Sequence, residues 1–533
     1  MDWITDYTFN VNTIPNGACP SIHASIHDFC FRTFSQSFGQ QTASFSTQEF
    51  AGFLQERWRA SETLSVTAGV RYEYELLPLP QTPNMAVDAA FSAKGATSIF
   101  PEDRNNLGPR VAAAWQPRGE GRGTVRVAYG VYFGRLPAAT VRTALVDTAT
   151  SRSASRIRIL PTTITGCPQV ENQGFGYPCT YTATPPNGVA ATTSVAVFDR
   201  HFRMPMSQQG SLSLERDVHH VVTVSATYLL NLNRQLPNSV DVNIAPATTT
   251  RTFQLQGGTK TVGVRNGDTF IIPVYTQRVS TNFGPVTAIT SNANGTYNAL
   301  VIEARHRSRD GFELRASWTW SKSIDFGQNT GSIPHTNGQF DPFNVRYDKS
   351  LSSSNTPHKF VVSAVWQPQP SRASHAWKYF NSGWLLAPVL TESAGRPYSY
   401  DIFGGTRLAG GHESINGSGG NAYLPTIGRN TLRLPENFNT SLRVVRELRF
   451  SESLHLDFIA EAFNLTNHVN YTSVTERAFL VGIASNGITP LIYQNPAAVV
   501  AEGLNSLPFG ALTSSSSELS RERQLQFGIR LEF

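Results

Sequence analysis

Between Leu64 and Glu75 the side chains alternate without a break. Leu64, Val66, Ala68, Val70, Tyr72 and Tyr74 fall on one side, and Ser65, Thr67, Gly69, Arg71, Glu73 and Glu75 on the other. Successive residues of a β-strand point to opposite faces, so this period predicts a strand with one greasy and one polar side. The same alternation runs through Thr124–Gly134, Val221–Leu230 and Phe312–Trp320. It returns at the end of the chain, where Leu525, Phe527, Ile529, Leu531 and Phe533 share one face. Read this way the chain holds thirteen strands: Glu49–Arg57, Leu64–Glu75, Gly108–Gln116, Thr124–Gly134, Gln208–Arg216, Val221–Leu230, Ala299–His306, Phe312–Trp320, Lys359–Gln367, Trp384–Ser393, Asn437–Arg449, Leu454–Phe463 and Arg523–Phe533. Pro388 sits inside the tenth and cannot donate to a ladder, which makes that strand the least regular.

The connections alternate as strictly as the side chains. Short turns such as Trp58–Thr63, Asp217–His220 and Phe450–Ser453 are followed each time by a long segment, such as Arg135–Ser207 or Asn464–Glu522. An up-and-down sheet with tight turns at one end and large loops at the other has this rhythm, and structureless loops of this size count against a compact soluble domain. Soluble β-sandwiches alternate too. Two features favour a membrane barrel: apolar faces ending in Tyr, Trp and Phe, and polar faces carrying mixed charges. The polar-face residues expected to line a wet lumen are Arg71, Glu73, Arg126, Glu303, Arg305, Glu313, Arg315, Asp457, Glu461 and Arg530. The fold class expected is therefore all-β, an antiparallel up-and-down transmembrane β-barrel over residues 49–533, with long extracellular loops, short periplasmic turns and a loop segment at 1–48.

Composition narrows the picture further. Charged residues make up only 15% of the chain and aromatics 11%, while soluble proteins carry roughly a quarter charged residues. Nowhere do about 18 apolar residues run together, so the chain has no helical span. The net charge of +6 comes mainly from Arg and is spread without basic runs, which argues against nucleic acid as a partner. At an outer rim, guanidinium groups suit the phosphates of lipopolysaccharide. The first residues, Met1 to Asp6, lack a basic and an apolar region, so an exported chain would need its leader further upstream.

At this point several short stretches acquire meaning together. Gly69-Val-Arg-Tyr-Glu-Tyr74, Asn105-Asn-Leu-Gly-Pro-Arg110, Ala128-Tyr-Gly-Val-Tyr-Phe133, Ser317-Trp-Thr-Trp-Ser-Lys-Ser-Ile-Asp325, Gly395-Arg-Pro-Tyr398, Gly428-Arg-Asn-Thr431 and Ala460-Glu-Ala-Phe-Asn-Leu-Thr-Asn-His468 occur in order along the chain. The ordered set resembles the barrel of Oar-like TonB-dependent outer-membrane receptors, from about Glu49 to Phe533. The closing strand, with Phe527, Ile529, Leu531 and Phe533, is similar to the C-terminal signal by which the barrel-insertion machinery selects its substrates. The resemblance implies an importer of a scarce, large solute such as a siderophore or an oligosaccharide, set in outer-membrane lipid. It implies coupling to the TonB complex through a plug. The sequence departs from the family at its front, where no plug or TonB box precedes the first strand. Thirteen strands run the first and last in the same direction, whereas plugged transporters have about 22, so the barrel is expected to be partial. A rival reading is a surface adhesion or structural protein that uses the long loops for contact.

Few of the remaining residues suggest catalytic chemistry. Cys19, His23, His27 and Cys30 have spacing that could hold zinc, but in loops assembled through an oxidising periplasm a Cys19–Cys30 disulfide is favoured, with a second between Cys167 and Cys179. Gly119-Glu-Gly-Arg-Gly123 lacks a P-loop Lys-Ser/Thr and sits in a tight turn, and His219-His220 lies in another. There is no Gly-x-Ser-x-Gly and no His-Glu-x-x-His. No cofactor and no enzymatic activity are expected.

Overall fold

A computed structural model describes residues 4–9, 31–38, 43–117, 123–150, 155–159, 191–193, 195–218, 221–308, 311–327, 337–368, 382–408, 411–451, 454–501, 507–515 and 522–533. Thirteen strands form one continuous antiparallel path in sequence order. They are β1 (Gln48–Arg59), β2 (Leu64–Leu76), β3 (Leu107–Trp115), β4 (Gly123–Phe133), β5 (Met206–Val218), β6 (Val222–Asp241) and β7 (Val286–Arg307). The path continues through β8 (Phe312–Asp325), β9 (His358–Trp366), β10 (Trp384–Ser393), β11 (Asn437–Arg449), β12 (His455–Phe463) and β13 (Gln524–Glu532). Every strand expected from the period is present, with each joined to its neighbour in the chain. Among the described residues no helix is long and apolar enough to cross a membrane.

Register carries the alternation across the whole sheet. One row reads Val125, Leu214, Ala226, Ile302, Trp318 and Phe360 from β4 to β9. The row beside it, on the opposite face, reads Arg126, Ser213, Thr227, Val301, Thr319 and Lys359. The apolar face stays open: Trp320 is 55% exposed and Ile529 72%. Pro388 breaks only one ladder. β10 pairs with β11 throughout, Pro388 opposite Leu442, whereas on the β9 side pairing stops after Ser363–Val389 and resumes at Trp366–Leu386. An interior strand tolerates proline here because its missing donor is confined to one edge. Gly311 and Gly383, at the short-turn end, have φ near +79° and +73°, and a Cβ on either would lie within 2.3 Å of a facing carbonyl oxygen. Only glycine fits both the backbone angle and the approach.

The long connections are the main departure from expectation. They are folded. β6 and β7 continue past their expected ends, with irregular register between Asn233 and Asn238, and carry their pairing to Asp241–Thr287. Beyond them, Thr249–Gln256, Thr269–Val274, Ile488–Tyr493, Arg477–Val481 and Asp401–Phe403 make a five-stranded mixed sheet from three separate loops. Its core includes Phe253, Leu255, Phe340, Ile415, Phe479 and Leu491, none more than 1% exposed. A second core packs the helix Ala138–Val146 against Phe198, Phe202, Met204 and Ile289. A third joins Val87 and Phe91 of the helix Met85–Phe91, capped by the Asn84 side chain, to Val195, Val197 and Val286. Together these segments form a headpiece at the long-loop end. The segment 1–48, expected as loop, contains strands Ile4–Phe9 and Phe31–Phe38, the second also paired with Ser155–Ile159. Its phenylalanines at 31, 34 and 38 do not keep a period of two, so the pattern gave no strand there.

Candidate functional site

The polar face of the sheet concentrates the charge. All ten residues expected at the lumen lie on this one face by register, opposite the tryptophan and tyrosine face. The sheet also answers their charges. Arg305 and Arg315 stand directly opposite each other on β7 and β8, and each reaches diagonally to the other strand's carboxylate. Arg305 binds Glu313 at 2.6 Å, and Arg315 holds Glu303 with two hydrogen bonds of 2.8 and 3.1 Å. Arg71 pairs with Glu73 at 2.9 Å along β2, Arg126 with Glu215 at 3.2 Å, and Glu461 with Arg443 at 3.4 Å. Arg530 pairs with Glu532, and Asp457 lies in the row between Glu447 and Arg530. Glu215 and Arg443 do not stand out in the sequence, because a cross-strand partner is visible only once register is known; Glu532 lies two residues along β13 from Arg530.

These pairs are half-exposed, so each is worth no more than about 1 kcal/mol. Their consequence is chemical: a wet face rich in donors and acceptors with little net charge. Near the long-loop end Arg110 adds a guanidinium 4.4 Å above the Tyr132 ring.

Some of the short motifs that mark the sequence meet instead at the junction of sheet and headpiece. Arg429 is buried there, donating to the Asp325 carboxylate and, at 2.9 Å, to the Asp348 carbonyl. Beside it, the Asn430 N–H donates to Ser399 Oγ and its side chain to the Leu351 carbonyl. Arg433 donates to the carbonyls of Asn355 and Gly395. Near the end of β12, Asn464 takes φ +47° and closes a loop through both the N–H and the carbonyl of His468. Asn470 does the same with the backbone of Phe438, and Asn467 accepts from the N–H of Arg523. These motifs are clasps that fix where strands leave the sheet.

The headpiece holds several carboxyls away from their usual range. Burial pushes Asp348 up to about 6, even though it accepts from the Phe340 N–H, Tyr423 and Asn421. Asp401 is pushed up to about 7 by burial and by the neighbouring Glu476. The phenols of Tyr275 and Tyr423 are raised as well, by burial and by the carboxylates of Asp341 and Asp348. A water-sized cavity nearby is lined by Asp241, Arg278, Asn337 and His412. Among the described residues no group of three or more His, Cys, Asp or Glu is arranged to hold a metal.

On the apolar face, Phe527 and Phe533 are 76% and 96% exposed, with Ile529 and Leu531 between them. Cys19, Cys30, Cys167 and Cys179 lie outside the described residues, as do His219, His220 and most of Gly119–Gly123.

A sheet of consecutive antiparallel strands, greasy on one face and ion-paired on the other, defines a membrane β-barrel wall. The chain belongs to the outer membrane beta barrel domain family, which matches residues 6–526, and it resides in the outer membrane. No curated protein matches it in sequence. Among solved structures it is similar to the outer membrane transporter YddB from Escherichia coli, at 12% identity and a TM-score of 0.48 over 89% of this chain and 46% of that one. It is also similar to the ferric-catecholate import receptor Fiu from Escherichia coli K12, at 10% identity and a TM-score of 0.37 over 89% and 47%. The FrpB iron transporter from Neisseria meningitidis matches at 10% identity and a TM-score of 0.34 over 93% and 55%. The chain thus spans about half the length of these structures.

Proposed function

We propose that residues 49–533 form the wall of a TonB-dependent, Oar-like receptor that imports a large, scarce solute across the outer membrane, rather than an enzyme. The observation that carries this reading is the thirteen-strand antiparallel sheet whose polar face carries ion pairs on several strands. Inside a barrel such a face is hydrated, and it offers hydrogen bonds to a solute or a plug without the cost of an isolated charge. Arg71, Glu73, Arg126, Glu303, Arg305, Glu313, Arg315, Asp457, Glu461 and Arg530 would line that path. Energy would come from the TonB complex acting on a plug region N-terminal to the barrel, as the family resemblance implies. The aromatic face would meet lipid, and the C-terminal strand would be read by the insertion machinery.

The folded headpiece favours a second use, adhesion, because a surface with its own hydrophobic core can present a fixed contact patch. Deleting the gene in its native host separates the two. Import predicts loss of protonophore-sensitive depletion of a solute from the medium, whereas adhesion predicts unchanged depletion and loss of surface attachment.

A further inference from the structure

A lysine stands at the headpiece end of the lipid-side face. Lys322 lies two residues beyond Trp320 on β8, on the same side as Trp318 and Trp320, at the end nearer the headpiece. It is exposed, and among the described residues no hydrogen bond or ion pair engages it. His358 stands directly across from Trp320 on β9, exposed, its ring stacked on Trp318 at 6.1 Å and nearly parallel. On the same face of β6, Tyr228 donates to Asn298 of β7, whose register partner on β8 is Lys322. No carboxylate occupies this face on β8 or β9, nor on β7 from Thr296 to His306. On β10 this face carries Glu392, opposite Phe360 and two strands from Lys322. This contrasts with the polar face, where most arginines have a carboxylate in reach.

We propose that Lys322, with His358 and Trp320, is a docking site for a phosphorylated lipid headgroup of the outer leaflet. An ammonium on a flexible stem reaches from the edge of an apolar band toward the headgroups. Tryptophans beneath it are amphipathic and settle at the same depth. A phosphate placed there meets three ammonium donors and an imidazole with no competing carboxylate beside Lys322, so the pairing is charge-assisted. At the opposite end of the same face Arg446 lies over the Trp384 ring at 5.1 Å, so each end of the band carries a cation with an aromatic. The inference rests on the aromatic face meeting lipid.

Native mass spectrometry of the full chain, released from nanodiscs containing lipopolysaccharide, provides the test. Lys322→Gln should retain about fivefold less lipopolysaccharide than the parent, the effect of one cation at a membrane surface, and Lys322→Gln with His358→Gln should retain less still. Lys359→Gln, the next residue on β9 but on the polar face, should retain as much as the parent. Equal retention by Lys322→Gln and the parent, undiminished retention of dephosphorylated lipopolysaccharide, or full displacement by inorganic phosphate overturns the site. Quenching of tryptophan emission by brominated acyl chains reports the facing separately. Quenching that is weaker in Trp320→Phe than in the parent supports a lipid-facing Trp320, and a parent with no quenching at all overturns the facing itself.

Discussion

A single methyl group on Gly395 would sit 2.1 Å from the carbonyl oxygen of Leu434 and 2.3 Å from that of Pro435. Gly395→Ala must therefore push apart the backbone segments that meet at the clasp. We expect it to lower stability by more than about 3 kcal/mol, seen as a lower midpoint of heat-modifiable gel migration. Arg429→Ala should cost about 3–5 kcal/mol in the same assay, because it strands the buried Asp325 carboxylate without its cation. Asp401 has the opposite character. Its carboxyl titrates near 7 when folded against 3.8 as the ordinary value, so the folded state holds the proton more tightly. Stability from this group is full below pH 3.8 and is lost as pH rises through 7, at about 1.4 kcal/mol per pH step of one between those values. Asp401→Asn should flatten the headpiece's pH dependence between those limits and stabilise it at pH 8; an unchanged slope in fluorescence-monitored unfolding would sink the assignment. Neither Gly395 nor Asp401 revealed its role in the sequence. The motif Gly395-Arg-Pro-Tyr398 was visible, but the carbonyls crowding it come from residues 434 and 435.

At the level of strands the sequence was far more legible, because alternation needs only neighbours two apart to be read. All thirteen sheet strands follow from it, and Pro388 disturbs one ladder as a missing donor should. What alternation could not show was where β6 and β7 end. Above the aromatic band both faces are covered by the headpiece, so Ser239, Val286 and Ala288 are all buried and the contrast between faces fades. The two- and three-residue strands of the loops are shorter than any period. The facing of β13 makes a direct test. Ile529 shares a row with Phe458, and Gln526 with Glu461, on the other face. Ile529→Arg should cost about 2–4 kcal/mol near the bilayer midplane and deplete folded barrel, whereas Gln526→Arg should be nearly neutral. Deletion of Phe533 should also reduce folded protein in outer-membrane fractions. Equal amounts of all three would mean that the assigned facing is wrong.

For the molecule as a whole, the long connections decide whether the outer end is a fringe of tethers or a solid body. Phe253 and Phe479, both fully buried, belong to segments that each pair with the Ile488–Tyr493 strand. If the headpiece is solid, the amides of Phe253–Gln256 and Phe479–Val481 should exchange with deuterium as slowly as those of the sheet. Exchange within seconds would show that this core is open.

The same headpiece also separates two kinds of assembly in time. Every other hairpin of the wall joins residues close in the chain, as when Val218 meets Val222 across one turn. The headpiece instead pairs Thr252 with Ile488 and Phe198 with Ile289, in parallel, so long stretches of chain must already be placed before those contacts can form. Contacts between distant segments are slow to form because the chain entropy is lost before the contact returns it. Biogenesis should then have a fast insertion step and a late closing step on the far side of the membrane. In that interval the unclosed loops are the stage of the protein's life most exposed to proteases.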